Sequence, residues 1–310
     1  MMESSQGRAQ EAGLYPIRAV SARTGVNPVT LRAWERRYGL IKPQRTAKGH
    51  RLYSEADIHR IEQILALLDQ GVAIGQARTL LDRPQPAATP VPPGAESEAG
   101  PWETYRQRML SAVERFDDRG LDAVYNDALS LYPLDMVSRQ LIRPLLQKVG
   151  EIRREAPERI AEGSFLHTFL RNKLGARFHQ QSTQVGGHRL LAACLPGPAS
   201  EIELLLFSLS AMTHGFRILL LGNQIPLDLL PTAAERGRVA ATVLFGEGQA
   251  EATELEASLR SLVGEVSGPV FVGGDAARNR ADQIEAAGAI PLPGDWHQAF
   301  DRIREKLPTA

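Results

Sequence analysis

Apolar positions along this chain change their period twice, and the changes divide it into three. Over residues 15–82 they form short clusters broken by Gly25, Gly39, Gly49 and Gly71, a spacing that predicts short helices joined by tight turns. From 102 to 182 they recur at steps of three and four: Trp102, Tyr105, Met109, Val113 and Phe116, then Leu121, Val124, Ala128 and Leu131, then Val137, Leu141, Leu145 and Val149. A last set with Phe165, Phe169 and Leu174 completes the pattern of a bundle of about four helices. Beyond Gly187 short apolar runs alternate with helical stretches. Strands are predicted at 189–195, 216–222, 239–245, 269–273 and near 289–291, with helices at 200–214, 227–236, 250–264, 276–286 and 295–307. Strands joined by helices require right-handed crossovers and a parallel sheet covered on both faces. Five of them suggest the flavodoxin-like, doubly wound arrangement, whose ligands sit at the carboxyl ends of the strands.

The stretch 83–101 holds six prolines among Ala, Gly, Ser and Glu and has almost nothing to bury, so it reads as an extended linker. Residues 1–14 read as a disordered tail. With 310 residues and 43% hydrophobic content the chain has room for several folded domains. Its net charge of zero hides a split. Residues 15–65 carry ten Lys and Arg against four acids, a net +6 that the rest of the chain balances, and this points to an anionic partner at the N-terminal end. The single cysteine, Cys194, excludes a disulfide framework and a thiolate metal cluster within the chain; set in the run Leu190–Leu195, it reads as a small buried hydrophobe. No run approaches the roughly 18 apolar residues of a membrane helix, and Met1–Gly13 lacks a signal-peptide core, so the expected location is cytoplasmic, with no membrane partner.

The basic segment has an internal order. Ile17–Thr24 predicts one helix and Gly25-Val-Asn27 a tight turn, with Asn27 as N-cap and Pro28 at the first position of a second helix reaching Tyr38. Leu31 and Trp34 are expected to face a small core, leaving Thr30, Arg32 and Arg36 exposed and Arg37 and Tyr38 at the helix end. A hairpin between Leu40 and Tyr53 is expected to turn at Ala47-Lys48-Gly49 and to carry Arg45, Lys48, His50 and Arg51. A helix for the major groove with a basic wing behind it is what a reader of double-stranded DNA needs.

Residues 15–82 resemble the winged-helix domain of MerR-family transcription regulators, and Asn27–Tyr38 with Arg45–Tyr53 resembles the MlrA-like regulators of curli and biofilm genes. The resemblance implies a homodimer on promoter DNA that it distorts to help RNA polymerase. It also implies Thr30 and Arg32 in the major groove, Arg36, Arg37 and Tyr38 near phosphates, and Arg45, Lys48 and Arg51 as wing contacts. Tyr53 is left open between core and phosphate contact, and His50 between phosphate contact and turn residue. Control by cyclic-di-GMP signalling enzymes, binding as proteins, belongs to the same expectation.

The rest of the chain resembles the light-sensing CarH and LitR branch of that family, where a helical bundle caps a cobalamin-binding domain. The layout agrees: Pro196-Gly197 after the first strand, Gly222-Asn-Gln-Ile-Pro226 after the second, Gly273-Gly274 after the fourth. The chemistry does not. Ser200 stands where the branch has its cobalt-ligating histidine, Glu203 where it has a glycine, and Gly163 follows Glu162 where a histidine caps the cofactor. A hydroxyl is a poor cobalt ligand beside imidazole. Gly273-Gly274 stays open between a vestigial ligand pocket and a tight turn, as does Gly246-Glu-Gly248; His167 and His179 read as ordinary helix histidines rather than ligands. The expectation is a multidomain chain, α plus α/β: winged helix-turn-helix at 15–82, helical bundle at 102–182 and flavodoxin-like sheet at 187–308. It would be a DNA-binding regulator of activator type, not an enzyme, with no catalytic residues, no metal and no cofactor. The alternative is a cobalamin-dependent light-sensing repressor.

Overall fold

The computed structural model describes residues 13–82, 100–182, 186–196, 201–223, 225–246 and 252–307; the proline-rich segment and Ser200 lie outside them. The chain divides into two compact units, one ending at Leu166 and the other beginning at His167. The sequence pattern separates the basic segment from the bundle, yet the first unit contains the basic segment and most of the bundle together.

The first unit opens with β1 (Leu14–Pro16), α1 (Ile17–Thr24) and α2, which runs Pro28–Ala33 and continues through a wider π turn, Trp34–Tyr38. Gly25 in the left-handed region ends α1, and the Asn27 side chain accepts hydrogen bonds from the Val29 and Thr30 amides to start α2. Strands β2 (Gln44–Arg45) and β3 (Arg51–Ser54) form the hairpin, with β1 on the other side of β3, all antiparallel. Ser54 and Asp57 close a capping box on α3 (Glu55–Asp69), and α4 (Ile74–Leu81) follows. The bundle helices are α5 (Pro101–Glu114), α6 (Asp118–Leu131), α7 (Leu134–Val137 extended by Ser138–Ile142 and Arg143–Glu155) and α8 (Ile160–Ser182).

Nearly every position of the predicted stripes on α5, α6 and α7 is buried; Phe116 is the exception, half exposed where a left-handed residue ends α5. On α8 the buried residues are Leu166, Leu170 and Leu174, whereas Phe165 and Phe169 are only partly covered. The aromatic positions misplace the stripe by one residue because size outweighed spacing.

The second unit contains β4 (Arg189–Cys194), α9 (Glu201–Thr213), β5 (Arg217–Gly222), α10 (Leu230–Gly237), β6 (Ala241–Phe245), α11 (Ala252–Glu265), β7 (Val270–Gly273), α12 (Asp275–Asn279), α13 (Ala281–Ala286), β8 (Ile290–Pro291) and α14 (Trp296–Lys306). All five strands are parallel in the order β5-β4-β6-β7-β8, the flavodoxin-like sequence 2-1-3-4-5. One face packs Leu191, Leu244 and Val272 against Leu230, Leu259 and Ile284 of α10, α11 and α13. The other carries an aromatic cluster: Phe207 of α9 lies 4.9 Å from Phe245 and 5.2 Å from Phe300, ring centre to ring centre. Cys194 is buried in β4, where burial pushes its thiol up to about 12, so it stays protonated and inert.

Candidate nucleic-acid interface

Helix α2 and the wing are held together by one acid. Glu35 accepts from Arg45 at 2.8 Å and from Arg51 more closely still, so both wing arginines are tied to the helix. Burial pushes the Glu35 carboxyl up, but hydrogen bonds from Arg51 and Arg45 outweigh it and hold it below its ordinary value. The wing turns as the sequence predicts: the Gly49 amide donates to the Thr46 carbonyl, the Thr46 amide to the His50 carbonyl, and Gly49 takes a φ of 80°. Lys48 and His50 are exposed at its tip.

Arg36 and Arg37 are exposed, Arg32 and Tyr38 half exposed, and no described carboxylate pairs with any of the arginines. Arg32, Arg36 and Val29, which is 59% exposed, lie at helical spacing on the open side of α2. Arg60 braces this layout from behind, donating to the Leu40 carbonyl at 2.6 Å and pairing with Asp82 at 2.6 Å.

Two candidate DNA contacts are buried instead. Thr30 is fully buried: its hydroxyl accepts from the Asn27 amide group at 2.9 Å and donates to the Leu129 carbonyl of α6 at 3.3 Å. It belongs to the face of α2 that packs on the bundle. Tyr53 is fully buried as well, its phenol pushed up to about 12 by burial, so of its two open readings the core is where the structure puts it. The reason for both is the bundle and the hairpin core, neither of which a helix read in isolation reveals. Trp34 is buried as expected, and its indole N–H donates to the Leu131 carbonyl at 2.8 Å, a second tie between α2 and α6. Arg139 of the bundle adds a pair with Asp69 at 2.5 Å.

Sequence reasoning missed Glu35 and the α6 carbonyls. Glu35 had a visible signal, as an acid amid the arginines of α2; the carbonyls of Leu129 and Leu131 had none.

Gly273 and Gly274 form a strand-to-helix turn. Gly274 has a φ of 78° and starts α12, and the Ala276 amide donates to the Gly246 carbonyl at 2.9 Å. A methyl group on Gly273 would lie 2.5 Å from the Phe245 ring, and one on Gly274 3.0 Å from a Glu203 carboxylate oxygen. The space beside each glycine Cα is thus taken by the Phe245 ring and a Glu203 carboxylate oxygen. Gly163 on α8 lies 3.5 Å, measured from an added methyl, from Val149. Ser200, Glu247 and Gly248 fall outside the described residues. Among the described residues no three His, Cys, Asp or Glu side chains group to hold a metal ion, and no helix is long and apolar enough to cross a membrane.

Residues 15–84 match the MerR HTH family regulatory protein domain. The chain is 31% identical to the HTH-type transcriptional repressor CarH of Myxococcus xanthus over 290 residues, 91% of this chain and 96% of that protein. Likeness to the HTH-type transcriptional regulator MlrA of Escherichia coli (strain K12), 34% identical, extends over 136 residues, 44% of this chain and 52% of that one. The Methanosarcina barkeri monomethylamine corrinoid protein shares the fold, with a TM-score of 0.51 over 65% of this chain and 96% of that one at 16% identity. The sequence likeness over nearly the whole of CarH, carried by a winged helix-turn-helix with a basic open face, means that the chain belongs to the MerR family of DNA-binding transcription regulators.

Proposed function

We propose that this regulator reads its promoter through Arg32 and Arg36 of α2, with Arg37, Tyr38 and the wing residues Lys48 and His50 holding phosphates, and that its C-terminal half works without cobalamin. Arg45 and Arg51 serve the wing chiefly as its anchor to Glu35, and reach phosphate only at its edge. The observation that carries the second part is the packing of Phe245 and Glu203 against Gly273 and Gly274. Ser200 and Glu203, where the cobalamin-binding branch has a histidine and a glycine, support the same reading.

The likeness to MlrA over 136 residues supports the reading as an activator, with extracellular-matrix genes as the proposed targets. The likeness to the repressor CarH over 91% of the chain supports repression as the second reading. A reporter driven by the chain's own upstream region, with and without the protein, gives the direction by its sign. Family members bind promoter DNA and act on RNA polymerase, often as dimers, and a dimer is proposed here. Input from cyclic-di-GMP signalling proteins fits the C-terminal half as a docking module.

The test has two arms. Purified protein should shift its own upstream region at low salt; failure to shift any promoter fragment sinks the DNA reading. Mixed with adenosylcobalamin in the dark and desalted, it should come out colourless; a retained visible spectrum overturns cobalamin independence and revives the light-sensing repressor.

A further inference from the structure

We propose that the second unit carries an anion site, built from Arg189, Arg217 and Arg238, that takes a small phosphate-bearing ligand. The site is a cavity of about 420 Å³ at the amino-terminal edge of the sheet, lined by these arginines together with Gly187, His188 and Gly237. That edge is opposite the glycine pair after β7, so the site does not depend on how the corrinoid-type pocket is read.

Three features mark the site. Arg189 and Arg217 begin adjacent parallel strands and are register partners, which sets two like charges side by side at the cavity. None of the three guanidinium groups has a carboxylate partner among the described residues, although elsewhere arginines such as Arg260 and Arg304 do pair. Arg189 donates instead to the Gly237 carbonyl at 2.9 Å, which orients its guanidinium at the rim. Arg238 holds φ 48° and ψ 53°, the left-handed conformation that costs an L residue and that glycine takes freely, at the end of α10. Its own amide donates to the Ala234 carbonyl, so this turn closes α10 and places Arg238 directly after Gly237 on the cavity wall.

The rest of the lining keeps the cavity open. Gly187 lies so close to the Gly215 carbonyl that no side chain fits, and the His188 carbonyl accepts the Arg217 amide at 2.9 Å, locking the rim. Guanidinium forks match the oxygens of a phosphate in pairs, and three of them around a cavity of this size suit a phosphate, a diphosphate or the phosphate end of a nucleotide.

The test is calorimetric titration of the full chain with inorganic phosphate, pyrophosphate and adenosine diphosphate, against sodium chloride of equal ionic strength. One saturable site is expected for pyrophosphate. Tighter binding of adenosine diphosphate assigns the ligand to nucleotides, and equal or weaker binding assigns it to inorganic phosphates. Arg238→Gly should bind about tenfold more weakly, as the loss of one charge-assisted contact implies, while its melting temperature stays level or rises because the backbone strain is gone. Arg45→Ala with Lys48→Ala, on the wing, should leave the anion affinity unchanged. The proposal is overturned if no saturable site appears, if Arg238→Gly binds pyrophosphate like the parent, or if the wing variant abolishes the signal. It is equally overturned if Arg238→Gly loses promoter binding in step with anion binding, which would make the cavity a contact for DNA backbone.

Discussion

Glu35 governs how much of the basic charge near α2 is free to meet DNA. Two of the wing's cations, Arg45 and Arg51, are spent on it, and Arg51 and Glu35 are both largely covered. Glu35→Gln should therefore cost about 1–3 kcal/mol of stability, chiefly through Arg51, since the Arg45 pair is half exposed and screened. It should at the same time tighten binding to all DNA sequences and steepen the salt dependence, by about 0.9 for each arginine that moves to a phosphate. Equilibrium unfolding and a salt titration of binding measure both; a flatter slope would mean that the arginines already contact phosphate in the parent. The pH dependence has a defined sign. The folded carboxyl lies below its ordinary value, so the tie is in force above the usual carboxylate range and is lost as pH falls through the depressed folded value. Amide exchange in the wing should accelerate at acid pH, and Glu35→Gln should remove that step. Arg32→Ala should behave differently from either, relaxing sequence choice at a cost of about 1–3 kcal/mol, as loss of a base contact does. A uniform loss across all sequences would instead make Arg32 a phosphate contact.

Between elements, the contact to explain is that of α2 with α6. The Thr30 hydroxyl and the Trp34 indole both end on carbonyls at the C-terminal end of α6, where a helix leaves its last carbonyls without partners. The reading helix thereby satisfies the bundle, and the bundle fixes the reading helix. Thr30→Val keeps the shape and removes the hydroxyl; it should destabilise the protein by roughly 1–2 kcal/mol and leave base preference untouched. A change of preferred operator sequence in a binding-site selection, with stability intact, would put Thr30 in the groove after all. This contact also marks where the sequence stops being legible. Periodicity placed α2, the wing turn and all five strands, because each rests on local spacing, capping or a glycine that the chain itself displays. Which side of α2 lies open is decided by α6, about a hundred residues away, and a helix whose two faces are both semi-polar gives no sign of that. Phe116 and Phe165 fail for a related reason: aromatic residues count as core in any spacing rule, yet at a helix end they pack ring on ring, 5.5 Å apart, with one half exposed.

Over the whole molecule, the zero net charge gives a bound on DNA binding once the pairs are known. Of the ten cations in residues 15–65, Arg23 pairs with Glu55, Arg45 and Arg51 with Glu35, and Arg60 with Asp82. Arg18, Arg32, Arg36, Arg37, Lys42 and Lys48 have no carboxylate partner among the described residues. Six free cations per protomer, twelve in a dimer, limit the counterions released on binding, so the logarithm of the binding constant should fall against the logarithm of salt with a slope no steeper than about −11. Contacts made by only the open face of α2 and the wing tip bring it well below that limit. A measured slope beyond it would require Arg45 and Arg51 to leave Glu35 for phosphate, or cations from elsewhere in the chain, such as the arginines at the amino-terminal edge of the second sheet. Repeating the titration with Arg238→Gly decides the matter: an unchanged slope keeps DNA on the winged helix and leaves those arginines to a ligand of their own.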